Sequence, residues 1–285
     1  MHAPNVSGWN HKEVEAGKYV GAEAHDRISI DLPPPQRRLA NDILDLRKPV
    51  VILLLNGGSV DIGPELARAD AAIEAFYPGL SGATVIANAI FGHGPDSNRF
   101  GRMPYTTYPA SFVNQTSMLE HDMSKFPGRT HQYYRGTPVV PFGFGLSYSV
   151  FEMELEGPQT ITVSTGQSNT VTVTLAVTNH GPVVGDCVVL VFMRPKSMPR
   201  QIGSRLIQKL IGFERIPDLA PGLDARVSFT LSAETMAIAD LKTGDLVQTP
   251  GSFELAFSDG SGDEVVVTLR VIGGQYIVEE FPSVD

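Results

Sequence analysis

The stretch that decides the fold of the first half of the chain is PVVILLLNGG, from Pro49 to Gly58. Its apolar run, Val50 to Leu55, is short and continuous and begins with β-branched residues. Such runs are typical of strands that are buried on both faces of a parallel sheet. The Asn-Gly-Gly that follows favours a turn. The stretch therefore predicts a buried parallel strand that ends in a tight turn.

Apolar residues at helical spacing precede this strand. Leu39, Ile43 and Leu46 follow one another at intervals of four and three residues, which places them on one face of a helix. Three prolines at positions 33–35 come just before them, and proline is favoured at the start of a helix. We therefore expect a helix over residues 36–46.

Helices and strands continue to alternate after this strand. The sequence predicts a short helix near residues 63–68 and a helix over residues 81–91 that ends at Gly92. Residues 71–77 predict a second strand, although their alanines also suit a helix. Strands that alternate with helices indicate a parallel sheet flanked by helices. Since only two or three such units fit, we expect a partial sheet with much of its faces exposed, and long connecting loops over residues 93–147.

The second half of the chain is β throughout. Its β-formers alternate or cluster over six segments, which cover residues 160–163, 169–178, 186–192, 225–231, 251–258 and 264–271. Six or seven short strands separated by turn residues indicate a β-sandwich of the immunoglobulin or fibronectin type III kind. The Cys-Trp-Cys spacing of antibody domains is absent from the sequence. Cys187 lies within a strand pattern and is interpreted as a buried small hydrophobe.

Composition narrows the class of protein. The length of 285 residues suggests two domains. The net charge of −9 gives no basic face for nucleic acid, and the longest apolar run is too short to span a membrane. The N-terminus shows no signal-peptide pattern, and the single cysteine excludes an internal disulfide. The seven histidines are scattered, so we expect no metal site and no cofactor.

Two glycine-rich segments are candidates for binding loops. Gly57 to Asp61 follows the predicted strand at its carboxyl end, where open α/β sheets bind ligands. Helix capping and a tight turn explain this segment equally well. Gly143-Phe144-Gly145 resembles the start of a dinucleotide-binding loop, but it follows no strand–turn–helix unit and is interpreted as a turn between domains.

Ionisable residues concentrate near the N-terminus. Glu23, Asp26 and Arg27 lie within five positions of a Gly-rich stretch. Such a cluster suits acid/base chemistry or sugar binding, but most charged residues of this kind are simply solvated. The residues alone leave both interpretations open.

Ordered together, the segments of the chain resemble the C-terminal portion of glycoside hydrolase family 3, the β-glucosidase and β-xylosidase family. The resembling pieces run from about Gly21 onward. They are AEAHDR at 22–27 with IDLP at 30–33, KPVV at 48–51 with Gly57, Gly58 and Asp61, YPG at 77–79 with Phe91-Gly92, GRMP at 101–104, PGRT at 127–130 with Tyr133-Tyr134, and PFGFGLSY at 141–148. The PGRT stretch is most similar to the β-xylosidase branch.

The resemblance implies a fold and a mechanism. It implies a partial α/β sandwich followed by a fibronectin type III-like β-sandwich, with a loop segment over residues 1–35, the α/β part over 36–150 and the β part over 151–285. The family is retaining, with an aspartate nucleophile on a barrel domain and a glutamate acid/base in the α/β sandwich. Glu23 matches that glutamate, with Glu15 and Glu13 as rivals. Asp26 and Arg27 are candidates for substrate binding.

The barrel and its nucleophile have no counterpart in the 285 residues. We therefore expect the chain alone to be inactive and to act on a β-linked oligosaccharide only when a barrel is supplied. The alternatives are a non-catalytic carbohydrate-binding or scaffold module, with sugar-stacking rings from residues 100–150, and a truncated gene product. We also expect self-association through an exposed apolar surface that would otherwise face the barrel. The resembling family is often secreted, which leaves the compartment of this chain open.

Overall fold

A computed structural model describes residues 27–94, 96–166, 170–199 and 205–282. The chain divides into two compact units. Unit 1 comprises the described residues up to 86 together with 106–121 and 136–140. Unit 2 comprises residues 87–105, 122–135 and the described part of 141–285. Over the described ranges, no helix combines the length and the apolar character that crossing a bilayer demands.

Unit 1 is built around a two-stranded parallel sheet. Its elements are α1 (Pro34–Leu44), β1 (Val51–Leu54), α2 (Gly63–Leu66), β2 (Ala71–Glu74) and a 3-10 helix (Ala110–Asn114). Helix α3 (Gly82–Phe91) begins in unit 1, and its residues from 87 onward belong to unit 2. Val51 pairs with Ala71 at the start of the sheet, and Leu54 pairs with Glu74 at its end. The parallel strand pair and the helices confirm the α/β pattern, and the strand alternative for residues 71–77 is the one adopted.

The predicted burial of this sheet is wrong. Val51 and Leu53 of β1 are 46% and 38% exposed, and the apolar positions Leu39 and Leu46 around α1 are 61% and 65% exposed. A sheet with only two strands among the described residues has too little area to cover either its own faces or the helices beside it. The exposed faces agree with the expectation of a partial sheet.

Unit 2 is a β-sandwich. Its strands are β3 (Phe151–Glu156), β4 (Thr160–Ser164), β5 (Val171–Asn179), β6 (Gly185–Ser197), β7 (Lys209–Leu219), β8 (Asp224–Leu231), β9 (Ile238–Ala239), β10 (Leu246–Gln248), β11 (Gly251–Ser258), β12 (Glu264–Ile272) and β13 (Tyr276–Glu279), preceded by a single helical turn, α4 (Thr130–Tyr133). The described strands form sheets in the orders β4-β12-β11-β6-β7, β3-β5-β8 and β13-β10-β9. The predicted sandwich and its six segments are confirmed.

Strand β6 carries the core of the sandwich on one face and a second cluster on the other. Cys187, Val189 and Val191 are fully buried in the main core. The alternate residues Leu190 and Phe192 are also buried, because Phe142 and Leu210 pack over them on the outer face of the five-stranded sheet. Nine consecutive residues of β6 are buried as a result. The predicted burial of Cys187 is confirmed.

The segment from Pro141 to Gly145 is a turn, as predicted, but it lies wholly within unit 2. Gly143 adopts a φ of 83°, a left-handed conformation that favours glycine. A Cβ at Gly143 would also lie only 2.7 Å from Leu190 Cδ1. The glycine therefore lets this turn rest directly on the outer face of β6.

Candidate functional site

The sequence-predicted site residues fall at the edge of what the structure describes. Glu13, Glu15, Glu23 and Asp26 lie outside the described residues, and Arg27 is the first residue within them. Their proposed roles therefore remain predictions. The geometry around Arg27 shows which part of unit 1 this segment leads into.

Arg27 contacts the loop that follows β1. Its guanidinium Nη2 donates a hydrogen bond to the carbonyl oxygen of Ser59. Gly58 leaves the space for this approach, because a Cβ there would lie 2.9 Å from Arg27 Nη2. Asn56 Nδ2 donates to the Gly58 carbonyl at 2.8 Å and fixes the same loop from the other side. The carboxyl end of β1 is thus the part of the sheet to which Arg27 is bound.

Asp61, at the end of this loop, has a structural role. Its side chain accepts hydrogen bonds from the backbone N–H of Gly63 at 2.8 Å and of Ala110 at 2.6 Å. Its own N–H donates to the Ile30 carbonyl at 2.7 Å. Asp61 is 8% exposed, and both carboxylate oxygens are used. Of the two interpretations of this loop, Asp61 fits helix capping, because it accepts from the N–H of Gly63, the first residue of α2.

Arg37 is an ion-pairing residue near this loop that the sequence patterns did not single out. Its Nε lies 3.0 Å from Glu65 Oε1, and its Nη1 lies 3.2 Å from Asp31 Oδ1. Nη2 donates to the Asp61 carbonyl at 3.2 Å. The Glu65 side chain is only 1% exposed, so the Arg37 charge offsets the cost of burying this carboxylate.

These contacts limit what the described part of unit 1 can do chemically. The three carboxylates Asp31, Asp61 and Glu65 are held in ion pairs or backbone hydrogen bonds. A general acid or base needs a carboxyl group that is free to exchange its proton with substrate. Among the described residues, no three His, Cys, Asp or Glu side chains are grouped so as to hold a metal ion.

Two known domain families match the chain and show which protein family it belongs to. Residues 9–148 match the glycosyl hydrolase family 3 C-terminal domain, and residues 187–261 match the fibronectin type III-like domain. The chain belongs to glycoside hydrolase family 3 and corresponds to the C-terminal portion of its members. The match begins upstream of Gly21, so it includes all of the candidate carboxyl residues, Glu13, Glu15, Glu23 and Asp26.

Relatives of this family 3 chain include xylosidases. It is 32% identical to a probable exo-1,4-beta-xylosidase of Aspergillus flavus, over 95% of this chain and 37% of that protein. It is 31% identical to the exo-1,4-beta-xylosidase of Emericella nidulans, over 92% of this chain and 35% of that protein. The chain therefore spans about a third of the length of the curated relatives it matches.

Solved structures give the same relationship. A family 3 exo-beta-xylosidase in complex with a xylobiose aziridine probe is 29% identical, with a TM-score of 0.81 over 93% of this chain and 36% of that chain. A beta-glucosidase from Listeria innocua in complex with glucose is 27% identical, with a TM-score of 0.71 over 89% of this chain and 35% of that chain.

Proposed function

We propose that these residues form the C-terminal part of a retaining β-glycosidase of the exo-1,4-β-xylosidase type, and that Glu23 is its acid/base. The observation that carries the proposal is the similarity to exo-1,4-beta-xylosidases along 92–95% of the chain. A β-glucosidase specificity is the second possibility within the same family, and it is supported by the similarity to the Listeria innocua enzyme.

The chemistry assigns two steps to Glu23. In a retaining glycosidase the acid/base first protonates the glycosidic oxygen as the nucleophile attacks the sugar, and then removes a proton from the incoming water. The nucleophile is expected on a barrel domain, with the two carboxyl groups about 5–5.5 Å apart. The first step requires a protonated carboxyl group at neutral pH, which burial or a neighbouring negative charge supplies.

The Arg27 contact supports a role for the residues just before it. Arg27 is bound to the loop at the carboxyl end of β1, the end of a parallel strand at which α/β sheets bind ligands. Glu23 precedes Arg27 by four residues, and four residues of chain span at most about 14 Å. In the proposal, Arg27 positions the segment and Asp26 contributes to substrate binding.

Two buried carboxylates of unit 1 are held by other groups, which supports this assignment. Asp61 and Glu65 already serve backbone N–H groups and Arg37. In the matched α/β region, Glu23 and its rivals Glu13 and Glu15 are the carboxyl residues that the family resemblance offers for proton transfer. Glu23 is preferred because it stands three residues before the Asp-Arg pair.

A chimera tests the function. The chain replaces the matching C-terminal third of the Emericella nidulans exo-1,4-β-xylosidase, and 4-nitrophenyl β-xyloside and β-glucoside are assayed with the chimera and with the 285-residue chain alone. The proposal expects turnover by the chimera, faster on the xyloside, and none by the chain alone. A folded chimera inactive on both glycosides would contradict it, as would turnover by the chain alone that Glu23→Gln abolishes.

A further inference from the structure

A groove of about 220 Å³ lies in unit 2 on the outer face of the five-stranded sheet. The residues that matter for its chemistry are Phe142 and Phe144 from the Pro141–Gly145 turn, Arg194 from β6, Gln208 just before β7 and Glu264 at the start of β12. Pockets for drug-sized ligands are usually about 300–1,000 Å³. The groove therefore suits one small ring, with the remainder of a ligand in solvent.

The polar side of the groove is a fixed ion pair. Arg194 Nη1 and Nη2 donate to the two carboxylate oxygens of Glu264 at 2.6 and 2.7 Å. Arg194 Nε donates to Gln208 Oε1 at 3.0 Å. β6 and β12 are separated by β11, so the arginine side chain crosses a whole strand to make these bonds. Hydrogen bonds thereby hold three polar groups from three strand regions together before any ligand binds.

The pairing also sets the charge of the groove. Glu264 holds the Arg194 guanidinium in its charged form and raises its pKa, and the two opposite charges cancel locally. A carboxylate has about four acceptor sites and an amide nitrogen has two donors. Arg194 occupies two of the Glu264 sites and the oxygen of Gln208. Acceptors on Glu264 and the amide N–H groups of Gln208 are therefore left to bind a neutral ligand with several hydroxyl groups.

The opposite side of the groove is aromatic. Phe142 stacks on His131 with ring centroids 4.1 Å apart and meets the edge of Phe192 at 6.1 Å, so it is fixed in place. Phe144 is 36% exposed and presents apolar surface to the groove. A pyranose sugar has an apolar C–H face that can pack on a phenylalanine ring. Its equatorial hydroxyl groups can bond to the polar side of the groove.

We propose that this groove binds one neutral pyranose ring of an oligosaccharide, with the ring against Phe144 and its hydroxyl groups bonded to Glu264 and Gln208. This inference does not depend on the role of Glu23. It gives the fibronectin type III-like half of the chain a carbohydrate-binding function of its own.

Saturation-transfer NMR with the 285-residue chain tests the proposal. Xylohexaose and cellohexaose are compared with digalacturonic acid, an acidic disaccharide. We expect at least one neutral oligosaccharide to bind with millimolar affinity and the acidic one to bind no better. Phe144→Ala is expected to weaken binding by about tenfold, equivalent to about 1.4 kcal/mol.

The control is Phe213→Ala, which removes an exposed phenylalanine of β7, in the same sheet, that does not line the groove. It should leave the affinity unchanged. Gln208→Ala provides a second groove variant should Phe144→Ala fail to fold, and circular dichroism checks each variant. Absence of binding by both neutral oligosaccharides overturns the proposal, and so does a folded Phe144→Ala or Gln208→Ala that binds as tightly as the unmodified chain.

Discussion

The Arg27 guanidinium donates from Nη2 to the carbonyl oxygen of Ser59. The bond joins the residue that follows the acidic pair Glu23 and Asp26 to the loop at the carboxyl end of β1. Gly58 allows it, since any Cβ at that position would crowd Nη2. Arg27 and Ser59 are 32 residues apart in the sequence, and this contact joins the first described residue to the glycine loop.

Loss of the contact is expected to impair catalysis. In the chimera, Arg27→Ala should lower kcat/KM for the xyloside by about 100-fold, because a small displacement of a catalytic segment has effects of that order. Arg47→Asn is the matched control, since Arg47 is exposed and has a φ of 52° that asparagine tolerates. Steady-state kinetics measure both variants. Equal activities for the two would show that the Arg27 contact has no positioning role.

Asp61 is expected to matter for stability. Asp61→Ala leaves the partly buried N–H groups of Gly63 and Ala110 without their acceptor, so unit 1 should lose about 2–4 kcal/mol of unfolding free energy. Asp61→Asn keeps one acceptor oxygen and should lose less. Thermal unfolding followed by calorimetry ranks the three proteins. An Asp61→Ala variant as stable as the unmodified chain would mean that water or other groups replace the carboxylate.

Apolar runs and helical spacing were sufficient to predict helices α1 to α3 and strands β1 and β2, but not the burial of the sheet. Within the run Val50 to Leu55, Val51–Leu54 form a parallel strand, as the composition indicates, because local preferences decide between strand and helix. Whether a face is covered depends on partners beyond the segment. The side chains of Val51 and Leu53 are exposed for that reason, although the run has the composition of a buried strand.

The sequence patterns did not predict strands β7 and β3 of unit 2, and each omission has a specific cause. β7, Lys209–Leu219, contains Gly212 and Pro217, which favour turns when they are considered one segment at a time. β3, Phe151–Glu156, alternates apolar residues with glutamates, which are uncommon in strands. Arg37 was missed because its partners Asp31 and Glu65 come from separate segments. No local pattern brings such residues together before the fold is known.

Cys187 should be unreactive in the folded chain. Burial raises the pKa of its thiol from 9.0 to about 12, so at pH 8 its thiolate fraction is about 10³ lower than in the unfolded chain. Reaction with 5,5′-dithiobis(2-nitrobenzoate) should be slow in buffer and fast in guanidinium chloride, with Cys187→Ala as the blank. The fold favours the protonated thiol, so its contribution to stability is complete below pH 9 and is lost as the pH rises toward 12. Rapid labelling of the native chain at pH 8 would refute this.

The exposed apolar residues of unit 1 are expected to drive self-association. Leu39 and Leu46 are 61% and 65% exposed, and clustered apolar surface of this kind favours contact with another molecule. Sedimentation velocity should show concentration-dependent association of the 285-residue chain, which Leu39→Lys with Leu46→Lys reduces. Leu223→Lys, at a position 58% exposed in unit 2, should not reduce it. A monomer at all concentrations would contradict the expectation.

The identity of the acid/base is tested most directly by leaving-group dependence. In the chimera, Glu23→Gln, Glu15→Gln and Glu13→Gln are compared on 2,4-dinitrophenyl β-xyloside, whose leaving group needs no protonation, and on xylobiose, whose leaving group does. The account predicts that only Glu23→Gln lowers xylobiose hydrolysis, by about 10²–10⁴-fold, while the sugar–enzyme bond still forms rapidly from the dinitrophenyl substrate. Finding that pattern for Glu15→Gln or Glu13→Gln, with Glu23→Gln fully active on xylobiose, would contradict it.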